Sequence, residues 1–260
     1  MNASDVISLL YTMVLLVVVL HSIRLISATN RSMKVIFFAF AVVGLALDEL
    51  YWLTYGILRP DTRMPFAANE IGEWAFFLLL GASLTAPPAR KPSPCLKEIL
   101  FCVLFSACNI ALWIGWSGEW GQDIITGIVI CYFFSSLLIS VKGAGYLTDR
   151  RFGVVAAVCL PLVLMQGLTF FVDGSVKTGL DLACYVYMFA GCAFLLYRLA
   201  YVIRKGSERN KAGFLACGLF AWSTTSMYMS SGYFYLAMLC VCMISIVLML
   251  YTLKKEVEAE

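Results

Sequence analysis

The sequence predicts an all-α integral membrane bundle of about nine transmembrane helices, amino terminus outside and carboxyl terminus inside. Three observations predict it. Of 260 residues, 62% are hydrophobic and 13% charged, and mean hydropathy is +0.87. A soluble domain carries about 45–50% apolar and about 25% charged residues, so this chain lacks the polar surface to cover a soluble globule. The apolar residues gather into runs near the roughly 20 residues needed to cross about 30 Å of hydrocarbon. The basic residues fall on alternate breaks between those runs.

The runs are about 6–27, 35–57, 66–86, 96–116, 120–141, 153–172, 177–198, 212–230 and 233–253, and together they make one transmembrane domain over 1–260. The first has no basic residue before it and no small-x-small site after it, so it reads as a retained helix. Arg59 to Pro65 breaks the second run from the third, and Pro87 to Pro94 the third from the fourth. Pro161 removes a backbone donor inside the sixth, where a kink is expected. The last pair is parted only by Ser230, Ser231 and Gly232, which fits a tight helical hairpin or a re-entrant segment.

Charge orients the bundle. Arg24, Arg31 and Lys34 follow the first run; Arg90, Lys91 and Lys97 the third; Lys142, Arg150 and Arg151 the fifth. Arg198, Arg204, Lys205, Arg209 and Lys211 follow the seventh, and Lys254 and Lys255 the ninth. That places 16 of the 19 basic residues on one side, leaving Arg59, Arg63 and Lys177 on the other. Basic loops stay in the cytoplasm, so the basic side is expected inside and the chain in a cell (plasma or inner) membrane. Its basic face is expected to attract anionic lipid.

Composition and motifs exclude several classes. The loops leave no room for a sizeable extramembrane catalytic or nucleic-acid-binding domain. Ten cysteines show no CxxC pair and, Cys95 apart, lie in apolar runs, where they act as small hydrophobes. His21 is the one histidine, which leaves haem, zinc and histidine acid–base chemistry without support. No HExxH, Gly-x-Ser-x-Gly or glycine-rich phosphate loop appears. No cofactor and no catalytic residue is therefore expected.

The informative residues are charges inside the membrane, which are costly and mark function by default. The second run holds Asp48 and Glu49, with Trp52 and Tyr55 after them; the third holds Asn69, Glu70, Glu73 and Trp74. Helical rise puts Asp48 and Glu49 roughly 12–14 Å, and Glu70 and Glu73 roughly 6–10 Å, from the outer ends of their runs. Glu70 and Glu73 share a face at i,i+3, and Asp48, Trp52 and Tyr55 share one at i,i+4,i+7. Carboxylates beside aromatic faces suit a cation. Four carboxylates also suit a hard divalent metal, so the metal question stays open.

Asn109, Asp123, Gln166, Thr169, Asp181 and Ser223 to Ser226 fall at similar outer depth, which points to an outer polar cavity. Arg59 and Arg63 suit two roles, neutralising the acids or holding an anionic headgroup. Trp113, Trp116, Trp120, Tyr233 and Tyr235 read as an interfacial belt of anchors.

The leading expectation is a protein that binds or transports a small cation or amine, coupled to protons or sodium. The alternatives are a sensory or assembly subunit acting through a partner protein, and a membrane enzyme acting on a lipid headgroup.

Overall fold

The computed structural model describes residues 3–29, 32–58, 68–86, 96–206 and 209–258. Among them the chain is all helical. The helices are α1 (Ala3–Ala28), α2 (Met33–Leu58), α3 (Ala68–Thr85), α4 (Leu96–Ser117), α5 (Trp120–Gly143), α6 (Asp149–Leu168), α7 (Gly174–Lys205), α8 (Arg209–Tyr228) and α9 (Gly232–Val257). Each matches one predicted run.

Six helices, α1, α4, α5, α6, α7 and α9, have segments long and apolar enough to cross a membrane. The other three carry polar groups within their length: Asp48 and Glu49 on α2, Glu70 and Glu73 on α3, and Ser223 to Ser226 on α8.

Local chemistry sets the helix ends. Thr148 caps α6, its side chain accepting from the Arg151 N–H at 3.4 Å. Gly206 ends α7 in the left-handed region at φ 67°, which costs glycine little. Gly232, at φ 59°, turns the chain from α8 into α9, and those two helices pack side by side as a hairpin. α6 runs through Pro161 as one helix.

Neighbour packing closes a ring in the order α1, α2, α3, α5, α4, α6, α7, α8, α9, and α5 also touches α8 across the middle. Two smaller rings share that α5–α8 wall. In the larger, Phe76 and Phe77 of α3, Phe133 of α5 and Phe220 of α8 meet edge-on or tilted, with centroids 5.0 Å apart for Phe76 and Phe220. In the smaller, an apolar cavity of about 330 Å³ lies between α4 and α8, walled by residues such as Phe105, Val155, Phe194 and Trp222. The second core cluster, including Leu162, Met188, Cys192 and Leu219, packs beside it.

The bundle has two chemically distinct ends. At the basic end, Lys34 of α2 pairs with Glu256 of α9 at 2.5 Å, and Lys142 of α5 with Glu98 of α4 at 2.9 Å. Lys97 of α4 also bonds Asp149 at the start of α6. The acidic end carries the predicted site.

Candidate functional site

α2 and α3 are held unusually close. A Cβ on Gly72 would sit 2.7 Å from the Gly44 carbonyl oxygen and 3.2 Å from the Asp48 Cβ. Only glycine permits that approach of two helix backbones. The approach places Asp48 of α2 against α3, one residue from Glu73.

Asp48 is 7% exposed and Glu70 is buried, while Glu49 and Glu73 are half-buried. Asp48, Glu49 and Glu73 lie within electrostatic reach of Tyr235 on α9, and Asp48 and Glu49 within reach of Tyr11 on α1. Three acids and two tyrosines thus share the acidic half of the larger ring. Among the described residues no hydrogen bond or ion pair reaches Asp48, Glu49 or Glu73. Below them the Phe76–Phe77–Phe133–Phe220 cluster closes the ring with apolar surface. On α8 and α9, Cys242 donates to the Ser223 hydroxyl at 3.2 Å and lies 3.6 Å from Thr224.

Glu70 turns toward α5, where the Gln122 amide donates to it at 3.4 Å. Trp74 takes the same side, its indole N–H donating to Thr126 at 2.9 Å. These two contacts bring α3 onto α5, across the position that α4 would hold in a simple sequential ring.

A cavity of about 290 Å³ opens there between α3, α4, α5 and α8. Glu73 supplies one wall, and Gln122, Asp123 and Thr126 of α5 another. Trp113 and Trp116 of α4 and Tyr228 of α8 supply aromatic surface. The Trp113 and Tyr228 rings meet edge-to-face, with centroids 5.4 Å apart. Trp113 is 8% exposed, and among the described residues neither its indole N–H nor the Tyr228 hydroxyl has a hydrogen-bond partner.

The predicted residues therefore divide. The structure brings together Asp48, Glu49 and Glu73, and places Glu70 and Trp74 beside them on the α5 side. Trp52 does not join them: it is 52% exposed, on the last two turns of α2, which few neighbours cover. Tyr55 stacks on Tyr51 of its own helix, with centroids 6.0 Å apart. Arg59 and Arg63, and the side chain of Asn69, lie outside the described residues.

Trp113 also corrects an expectation. It is no interfacial anchor but a buried wall of the cavity, because α4 turns that face toward α8. Trp116, Trp120 and Tyr233 are exposed.

Sequence reasoning misses Tyr11, Gln122 and Tyr228 as site residues. The i,i+4 step from Asn109 to Trp113 puts both on one face of α4 and is a usable signal for that wall.

No three His, Cys, Asp or Glu side chains among the described residues converge closely enough to hold a metal ion. No family model, curated protein or solved structure matches the chain.

Proposed function

We propose that the chain is a nine-span protein of a cell membrane, basic end in the cytoplasm, that binds a small cation or amine in its acidic half and carries it across. One observation carries this reading. Asp48, Glu49 and Glu73 sit on adjoining helices, enclosed by the bundle, with no partner among the described residues. Enclosed charges of one sign destabilise a fold unless a counter-charge or a proton neutralises them. A cation can be that counter-charge, and when it leaves, a proton can replace it on the carboxylate. Exchange of cation for proton follows from the same groups. The basic residues at the opposite end supply the orientation.

The test is flux in proteoliposomes. A pH-sensitive dye is trapped inside, and a panel of alkali cations, amines and polyamines is added outside. A dye response that needs protein and is lost in Asp48→Asn and Glu73→Gln supports the reading. Binding by thermal shift without any flux would favour a sensory or assembly role through a partner protein. Neither binding nor flux for any cation would overturn it.

A further inference from the structure

At the basic end, α1 and α9 finish side by side. Lys34, at the start of α2, pairs with Glu256 near the end of α9, which brings the last turns of α9 to where α1 ends. A groove of about 840 Å³ runs between these two helices. Val18 and Leu25 line it as buried residues, whereas Met13, Val17, Val247 and Tyr251 line it and are exposed. The groove therefore opens on the outer face of the bundle.

Its lining changes along its length. Met13, Val14, Val17, Val18, Val247 and Leu250 make an apolar stretch. At 1.5 Å per residue, Met13 to His21 spans roughly 12 Å. Toward the helix ends come His21 and Tyr251, then Arg24 and Lys254 one turn further on. Among the described residues no Asp or Glu lines this groove.

The charge belongs to two side chains. His21 is tied back to its own helix, its Nδ1 2.9 Å from the Val17 carbonyl oxygen. Arg24 is exposed. Lys254 is exposed too and lies 3.7 Å from Glu258, an i,i+4 surface pair of the kind that holds little. Both stems can lie along the apolar wall while their heads stay at the water boundary. Arginine and lysine only donate, and a phosphate ester only accepts. An amphiphile with a chain followed by a phosphate repeats the order of the groove. A zwitterionic headgroup would add an ammonium, for which the groove has no acid.

We propose that the α1–α9 groove holds one anionic glycerophospholipid of the leaflet at the basic end. Its phosphate lies between Arg24 and Lys254, and an acyl chain runs along Val14, Val17 and Val247. The site is separate from the acidic half and does not rest on the cation reading.

The experiment is binding to purified full-length protein in detergent, by thermal shift and calorimetry. The probes are dihexanoylphosphatidylglycerol, dihexanoylphosphatidylcholine and glycerol 3-phosphate. Phosphatidylglycerol is expected to bind more tightly than phosphatidylcholine of the same chains, and glycerol 3-phosphate to bind weakly or not at all. One basic residue near a membrane surface is worth about fivefold in affinity for anionic lipid. Arg24→Gln/Lys254→Gln is therefore expected to weaken phosphatidylglycerol at least about tenfold. Arg150→Gln/Arg204→Gln removes the same charge from exposed positions outside the groove, and is expected to bind as wild type does. Arg24→Lys/Lys254→Arg keeps both charges and should keep the preference for phosphatidylglycerol. Equal losses in the two glutamine variants would overturn the site and leave only a diffuse pull of the basic end on anions. Equal binding of the two lipids would overturn the role of charge. Glycerol 3-phosphate binding as tightly as the lipid would overturn the chain and make the ligand a free phosphate.

Discussion

The two ends of this bundle treat charge in opposite ways. At the basic end the acids meet partners across helix boundaries. Glu256 takes Lys34, Glu98 takes Lys142 and Asp149 takes Lys97, and each pair ties one helix to another. At the acidic end Asp48, Glu49 and Glu73 crowd one region and meet no partner among the described residues. The pairs hold helices together. The crowded acids would repel one another when ionised together, and they lie between the close Gly44–Gly72 seam and the phenylalanine cluster.

The sharpest way to break this comparison is at Glu98. Its side chain is 2% exposed, against 29% for Lys142. Lys142→Ala removes this partner, and removing one partner of a buried pair costs about 3 kcal/mol or more. We expect a clear fall in Tm in detergent, largely restored in the double variant Glu98→Gln/Lys142→Ala. A single variant as stable as wild type would mean that the pairs at this end hold nothing.

Next in size is the seam itself. Gly72→Ala drives a methyl group into the Gly44 carbonyl, and backbone lies on both sides. Overpacking of this kind costs about 1–3 kcal/mol, and it also moves Asp48 away from Glu73. Both Tm and any cation response should fall. Gly167→Ala is the control, since a Cβ there meets nothing within 4 Å. It should be neutral, or stabilising by up to about 1 kcal/mol through helix propensity.

The acids should then respond with the opposite sign to those at the basic end. Glu49→Gln keeps the shape and removes a group that repels its neighbours whenever it ionises. Tm should hold or rise, by about 1 kcal/mol in stability, the lower end of the gain when buried charge is replaced by neutral groups. Glu98→Gln should lower it. The same substitution with opposite signs at the two ends is the comparison reduced to one measurement; equal falls would make the acidic cluster an ordinary structural network.

Much of this is legible in the amino-acid sequence. Helix order follows from hydropathy because each helix carries its own apolar run. Where helix and run differ, the difference is physical: α7 extends to Lys205 and α6 begins at Asp149, because a helix continues in its charged turns after the apolar segment ends. That Asp48, Glu70 and Glu73 lie toward the same end of their helix pair follows from rise per residue.

The cavity does not follow, because it depends on α3 lying against α5 rather than α4. Ring order is set by which side chains fit, such as Trp74 on Thr126 and Gln122 on Glu70, and a single sequence does not show that choice. Trp113 departs from its expected place for the same reason: hydropathy gives the depth of an aromatic, not the direction in which its helix faces.

The smallest effect belongs to Asp149, at the exposed rim of the basic end. Its hydrogen bond from Lys97, aided by the charges of Lys97 and Lys142, holds its carboxyl below the ordinary aspartate value. A folded value depressed below the unfolded one gives stability that is present above the unfolded pKa and lost as pH falls through the folded one. The loss therefore lies on the acid side of the ordinary aspartate range, near pH 3.9 and below. The carboxylate is solvent-exposed, so the contribution is screened and small. Asp149→Asn should leave Tm at neutral pH within measurement scatter, whereas Lys142→Ala should not. Molar salt, with a Debye length of about 3 Å, should erase whatever difference remains. A large Tm loss in Asp149→Asn at neutral pH would mean that the α4–α6 contact is a principal clamp, and that the basic end is held at its rim as much as at the buried Glu98.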